Sequence, residues 1–211
     1  MHVLSLSLAA HLGAVIKRRC RAALGARRLP GRRLLACRAG NVAVEFGLAV
    51  PVLMMMMLAS VELARFVILN QKLDRVASSV SDLVARAETI KESELQDIFA
   101  AVSEVASPFD IADLGVVIVS SVTNLDGSGP VIAWQRSGAG SYSATSKIGG
   151  EGDSAKLPAD FEVRNGESAI IAEVYFDFAP FLSELIVEPR VVYHTAHFRP
   201  RLGTLEEIDP G

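Results

Sequence analysis

Residues 46–61 read FGLAVPVLMMMMLASV, sixteen consecutive positions without a charged side chain, bounded by Glu45 and Glu62. With Val42–Val44 before it and Leu63–Leu69 after it, the apolar, helix-compatible stretch approaches thirty residues. A helix needs about 20 residues to cross the hydrocarbon core of a bilayer, so the fit works with one carboxylate near each interface. Pro51 would disturb a soluble helix, but membrane helices tolerate proline more readily. A buried core helix would account for about 10–14 apolar residues and would keep a polar face. Four consecutive methionines, Met54–Met57, leave no such face. The stretch therefore predicts a membrane helix over residues 41–69.

The flanks give that helix a direction. Residues 1–40 hold nine Lys or Arg side chains and no Asp or Glu, whereas residues 41–211 hold 12 basic and 24 acidic ones. The formal charge of -3 thus averages a +9 leader and a -12 remainder, and the mean hydropathy of +0.34 averages a membrane segment and an ordinary one. Basic residues beside a membrane segment stay in the cytoplasm, which places the 1–40 leader inside and residues 70–211 outside. In a bacterium the membrane is then the inner one and the outer region is periplasmic. Both cysteines, Cys20 and Cys37, fall in the leader. The exported part is left without a disulfide framework. So acidic a body would repel phosphate, which argues against nucleic acid as a partner; the leader's charge suits topology and anionic lipid better. Residues 1–16, MHVLSLSLAAHLGAVI, are apolar, but their charges follow rather than precede them, the reverse of a signal peptide. They read as sequence upstream of the true start or as an interfacial helix.

The junction itself carries a motif: Arg38-Ala39-Gly40-Asn41-Val42-Ala43-Val44-Glu45-Phe46. A carboxylate at the head of a membrane helix is costly and asks for a function. Cutting after Gly40 would supply one, because the new Asn41 α-amine would be protonated and could pair with Glu45 of a neighbouring subunit. A basic leader, a glycine, four small or apolar residues, a glutamate and an apolar helix resemble the class III signal of type IV prepilins. More closely, RAGNVAVEFGLAVPVLMMMMLASVELARF resembles the opening of TadE and TadG-like pilus assembly proteins of the tight-adherence (Flp) system. The likeness covers about thirty residues, with Pro51, Glu62 and Arg65 in it, and His197-Phe198-Arg199-Pro200-Arg201 is similar to that family's closing strand. The resemblance implies processing by a prepilin peptidase between Gly40 and Asn41, and a pseudopilin-like role among pilin-like subunits and the pilus machinery. Two features depart from it: the leader is long, and Phe46 stands where a tyrosine often follows the glutamate. Some TadG-like relatives keep their leaders.

Past the membrane, Leu69, Leu73, Val76, Val80, Leu83 and Ala87 are spaced 4-3-4-3-4, a seam that suits either a partner helix or the chain's own domain. Capping-box patterns at Thr89–Glu92 and Ser93–Gln96 start a second helix with Leu95, Ile98, Val102 and Val105 on its apolar face, and Pro108 stops it. Residues 70–108 are thus a helical region. Residues 109–211 switch to strand periodicity: Val116–Val122, a turn, Val131–Arg136, then Ala169–Phe178 and Val191–Phe198. In the third strand Ile170, Ala172, Val174, Phe176 and Phe178 share one face, with Glu173 and Asp177 on the other. The Gly/Ser-rich stretch 137–158 reads as a mobile loop. The expectation is an α+β fold in which an antiparallel sheet of about four strands carries the 94–106 helix on one face.

Motifs for chemistry are scarce. His194 and His197 are three apart, so in a strand they point to opposite faces and do not share a metal. Nothing resembles G-x-S-x-G or H-E-x-x-H, the exported part has no thiol, and Glu151/Asp153 and Glu206/Glu207 read as solvated surface. Trp134 and Tyr193 suit packing better than a pocket. Glu62 and Arg65 are placed to pair at i, i+3. The sequence therefore predicts no catalytic residue, no metal, no cofactor and no small-molecule substrate, but a membrane-anchored, non-catalytic component of pilus assembly. An anchored sensor or ligand-binding domain of another envelope system is the alternative.

Overall fold

The computed structural model describes residues 38–158, 161–180 and 187–210. The chain divides into two units, Met1–Met54 and Met55–Gly211. The first helix, α1, is Arg38–Ala85, and among the described residues the first unit is helix alone. Helix is what this composition favours: Ala, Leu, Met and Val fill more than half of its 48 positions, and Pro51 is the one proline inside it. Pro51 withholds one bond from the carbonyl of Gly47. The leader 1–37 lies outside the described residues.

In the second unit, α1 is followed by β1 (Ile90–Lys91), α2 (Glu92–Ala106), α3 (Ile111–Leu114), β2 (Gly115–Asn124), β3 (Val131–Gly138), β4 (Glu167–Phe178), β5 (Arg190–Phe198) and β6 (Ile208–Asp209). The four long strands form one antiparallel sheet in the order β3-β2-β4-β5. Its architecture is the expected α+β one. The short β1 and β6 pair in parallel, Ile90 with Ile208, an element that two residues of sequence could not announce. Helix α2 begins two residues earlier than its Ser93 pattern suggests: the Lys91 N–H donates to the Glu94 carboxylate at 3.3 Å, a capping arrangement reached from the lysine rather than the serine.

One face of the sheet is packed by α1 and α2. Leu69, Leu73, Val76, Ala77, Val80 and Val84 of α1, with Leu95, Phe99 and Val102 of α2, share a core with Val119, Ala172, Val174 and Phe178. The α1 stripe thus serves the chain's own domain, not a partner helix, and its membership decides why. A seam that repeated strictly every 3.5 residues would bury Leu83, yet Leu83 is 47% exposed, while Val84 and Ala77 are buried. A straight helix drifts about 20° per heptad from that repeat, so over the two heptads from Leu69 the drift of about 40° carries Leu83 to the edge of the buried stripe and brings Val84 into it. Ser81, fully buried, ties the helix to the sheet: its hydroxyl donates to the Ala196 carbonyl at 3.0 Å and accepts from the Ala172 N–H at 3.1 Å. Small alanines on β4 and β5 let the helix come that close.

The opposite face is covered too, and here the expectation of a mobile 137–158 loop is corrected. Ile148, Ala155 and Val163 pack on Val122, Ile132, Ala169 and Ile171, while Tyr142 and Ala144 cover Val116, Ile118 and Tyr175. The Ala155 and Lys156 N–H groups bond to the carbonyls of Pro130 and Ile148 at 2.8 Å each. The glycines and serines serve turns; a Cβ on Gly140 would stand 2.1 Å from the Gly115 carbonyl oxygen. Cover on both sides explains why β2 carries four consecutive apolar residues, Val116–Val119, rather than an alternation.

The drift argument gives a direct test. In urea unfolding of the detergent-extracted chain, followed by the fluorescence of its single tryptophan, Trp134, Leu73→Ala should cost about 2–5 kcal/mol. Leu83→Ala should stay within about 0.5 kcal/mol of the parent; equal losses would restore the heptad seam.

Candidate functional site

The residues singled out at the head of α1 occupy helix. Gly40 and Asn41 are its third and fourth residues, within the first turn, where N–H groups have no intrahelical partner and fraying is easiest. Glu45, Phe46 and Pro51 are exposed on its surface. From Val42 to Ile68 nearly every large apolar side chain is exposed: Leu48 is 70% accessible and Met54–Met57 are all above 55%. Soluble proteins rarely leave a contiguous apolar surface of that extent uncovered. Helix α1 is long and apolar enough to cross a membrane, with every backbone group from the second turn onward bonded within the helix apart from the one Pro51 interrupts.

Glu62 and Arg65 meet as an i, i+3 pair at 3.4 Å, yet the two are not alike: Glu62 is wholly enclosed, whereas Arg65 keeps 40% of its side chain exposed. A carboxylate enclosed at the C-terminal end of an apolar span needs its partners, and the guanidinium is one of them. Just beyond, Phe66 stands edge-on to Phe178 with ring centroids 5.3 Å apart, and the Arg190 guanidinium lies 5.7 Å from the Phe66 ring. The second unit therefore grips α1 from about Phe66 onward.

A second cluster was not foreseen. Glu173, which alternation sets on the face opposite Ala172 and Val174, is completely buried under the 137–158 segment. Its carboxylate accepts from the Ser146 hydroxyl, the Lys147 N–H at 3.0 Å, the Tyr175 hydroxyl at 3.0 Å and the Tyr193 hydroxyl at 2.9 Å. The Lys147 ammonium sits 3.5 Å from the centre of the Tyr193 ring. Four donors converging on one carboxylate explain how a buried charge is held here, and they anchor the covering segment to β4 and β5. The available signal was Tyr175 and Tyr193, which the register places directly opposite each other on the Glu173 face. Trp134 is likewise structural: its Nε1–H donates to the Leu205 carbonyl at 2.8 Å.

His194 and His197 do point to opposite faces. The His194 ring meets the Asn70 amide oxygen at 3.1 Å on the α1 side, and the His197 ring lies 4.1 Å from that of Phe161 on the other. Among the described residues no three His, Cys, Asp or Glu side chains gather as a metal set. Glu151 pairs with Arg136 at 3.3 Å, and Arg136 also reaches Glu92 at 3.1 Å, a surface network.

Burial, then the neighbouring Glu173 carboxylate, raise both Tyr175 and Tyr193 well above the ordinary phenol value of 10. The folded state therefore holds protons that the unfolded chain releases. That contribution to stability is complete below about pH 10 and is lost as pH climbs through the folded-state values. Ultraviolet titration of phenolate should show two of the three tyrosines ionising only as the protein unfolds, and Tyr193→Phe should flatten the alkaline fall in stability. Ionisation of all three in the folded protein near pH 10 would contradict the enclosed cluster.

Comparison with known proteins bears on the first of these places. A family model described as TadE-like protein matches residues 40–81. The match begins at the glycine of the junction and ends with the buried Ser81, so it lies wholly within α1 and leaves the sheet outside. The resemblance read from Gly40 to Arg65 is thereby shown. No curated protein and no solved structure matches the chain.

Proposed function

We propose that this chain is a non-catalytic, single-pass component of Tad/Flp (type IV) pilus assembly. The observation that carries this is the coincidence of the TadE-like stretch, residues 40–81, with the helix whose apolar side chains stand exposed from Val42 to Ile68. In this reading the 1–40 leader is cytoplasmic, residues 41–69 cross the bacterial inner membrane, and the 70–108 helical region and 109–211 domain face the periplasm. The basic flank sets that orientation.

A prepilin peptidase cuts between Gly40 and Asn41. The first turn of α1 unwinds to reach it, a small cost where N–H groups are unpaired and a glycine weakens the helix. The new Asn41 amine then faces Glu45 of a neighbouring pilin-like subunit, while Phe46, Pro51 and the methionines pack laterally; flexible thioethers fill irregular gaps between helices. Proteolysis is done to this protein and not by it. The outer domain engages the pilus machinery.

Mass spectrometry of the membrane-extracted chain tests the reading. With prepilin peptidase present the mature chain should begin at Asn41, and Gly40→Val should retain the leader. An intact leader in every strain would leave an uncleaved assembly factor. Release of the protein from membranes by alkaline carbonate would remove the anchor altogether.

A further inference from the structure

Strand β5 ends the sheet: in the order β3-β2-β4-β5 no strand among the described residues flanks its outer side. In an antiparallel ladder, alternate residues of such a strand turn their N–H and C=O groups away from the partner. The other edge, β3, is guarded, because Ile132 exchanges main-chain bonds with the 152–153 turn at 2.8 and 3.0 Å. Among the described residues no main-chain group outside the sheet bonds to β5 in that way.

The side chains of β5 add a second, independent feature. Tyr193, Thr195 and His197, at i, i+2 and i+4, line a cleft of about 250 Å³ whose other walls include Lys147, Lys156 and Ile171. Two lysines and a histidine line it, and no acidic side chain does. Glu173 lies enclosed beneath, its carboxylate already met by four donors. The cation over the Tyr193 ring holds one ammonium at the cleft. The chain around it is equally one-sided: residues 189–205 contain three Arg, two His and no Asp or Glu, whereas residues 70–211 as a whole hold twice as many acidic as basic side chains.

An unpaired strand edge beside a cationic, aromatic-walled cleft is suited to one kind of guest. We propose that the β5 edge and this cleft dock an acidic, extended segment of a partner protein, which adds as a fifth strand and places alternate carboxylates against Lys147, Lys156 and His197. Main-chain bonds give such an arrangement its affinity, and the pockets for alternate side chains give it specificity. Charge complementarity sets the encounter and the salt dependence. This surface belongs to the second unit, so it holds whether or not the leader is cleaved.

The probe is an acetylated, fluorescently labelled (Val-Glu)4 peptide, titrated by anisotropy into the full chain in non-ionic detergent. It should bind, weaken as salt is added, and lose about tenfold in affinity when Lys147→Glu and Lys156→Glu are combined. Both lysines are exposed, so the double variant should keep the parent's Trp134 fluorescence and unfolding midpoint. The same peptide N-methylated at its valines should not bind, and neither should (Val-Lys)4. Absence of binding, equal binding of the lysine peptide, or full binding of the N-methylated peptide would each overturn the proposal.

Discussion

From Val42 to Ile68 most large apolar side chains of α1 are exposed, and from Leu69 onward all but Leu83 are buried in the domain core. A helix can make that change of surroundings without a break because its backbone bonds are satisfied within itself, whatever lies outside. What has to change is the side-chain pattern. Before Leu69 apolar residues occupy all sides of the helix; after it they are concentrated in a stripe, with Gln71, Asp74 and Arg75 exposed on the rest. The place of that change fixes how much helix is left for the second unit, and so where β4 and β5 must put the small alanines that receive Ser81.

The sheet then answers a second constraint. With helices on one face only, strands of this composition would leave Val116, Ile118, Ile132 and Ile171 in water. The 137–158 segment covers them, but it has few large apolar residues with which to hold itself down. Glu173 supplies what packing alone does not: one buried carboxylate collects donors from Ser146 and Lys147 of the segment and from two tyrosines of the sheet. Breaking such a set would leave a charge or several hydroxyls buried without partners, which is costlier than the net worth of the bonds. The polar cluster therefore selects one placement of a segment that composition leaves undecided.

These two constraints also explain which parts of the structure could be read in advance. Helix α2 and the four strands follow from periodicity, because each buries a face whose spacing is written in the chain, while the apolar span of α1 follows from its length alone. The stripe on α1 was visible as far as Val80 and misassigned at Leu83, since two heptads are too short to tell a 3.5 from a 3.6 repeat. The covering segment was hidden by its glycines and serines. Yet the β-branched run at Val116–Val119 already asked for a second covered face, and only that segment was long enough to provide it. The burial of Glu173 was hidden for the same reason: alternation says which face a residue takes, and does so correctly here, but not whether the face is wet.

The end of the chain shows how to weigh the contacts that close the fold. Arg201 bonds to Asp82 at 3.1 Å, and Asp82 also binds Arg86; its carboxyl is held below the ordinary range by the Arg86 hydrogen bond above all, with both guanidiniums adding. Those groups are exposed, and exposed pairs are worth about 0–1 kcal/mol each. Leu205 is different. It is buried, and its carbonyl accepts both the Ser121 hydroxyl and the Trp134 Nε1–H at 2.8 Å. It adopts a positive φ of 49°, a conformation that a leucine keeps only where its surroundings over-determine it. The attachment of the last residues to the sheet, and with it the β1–β6 pair, rests on Leu205 and its two donors; the arginines decorate a closure that the buried carbonyl makes.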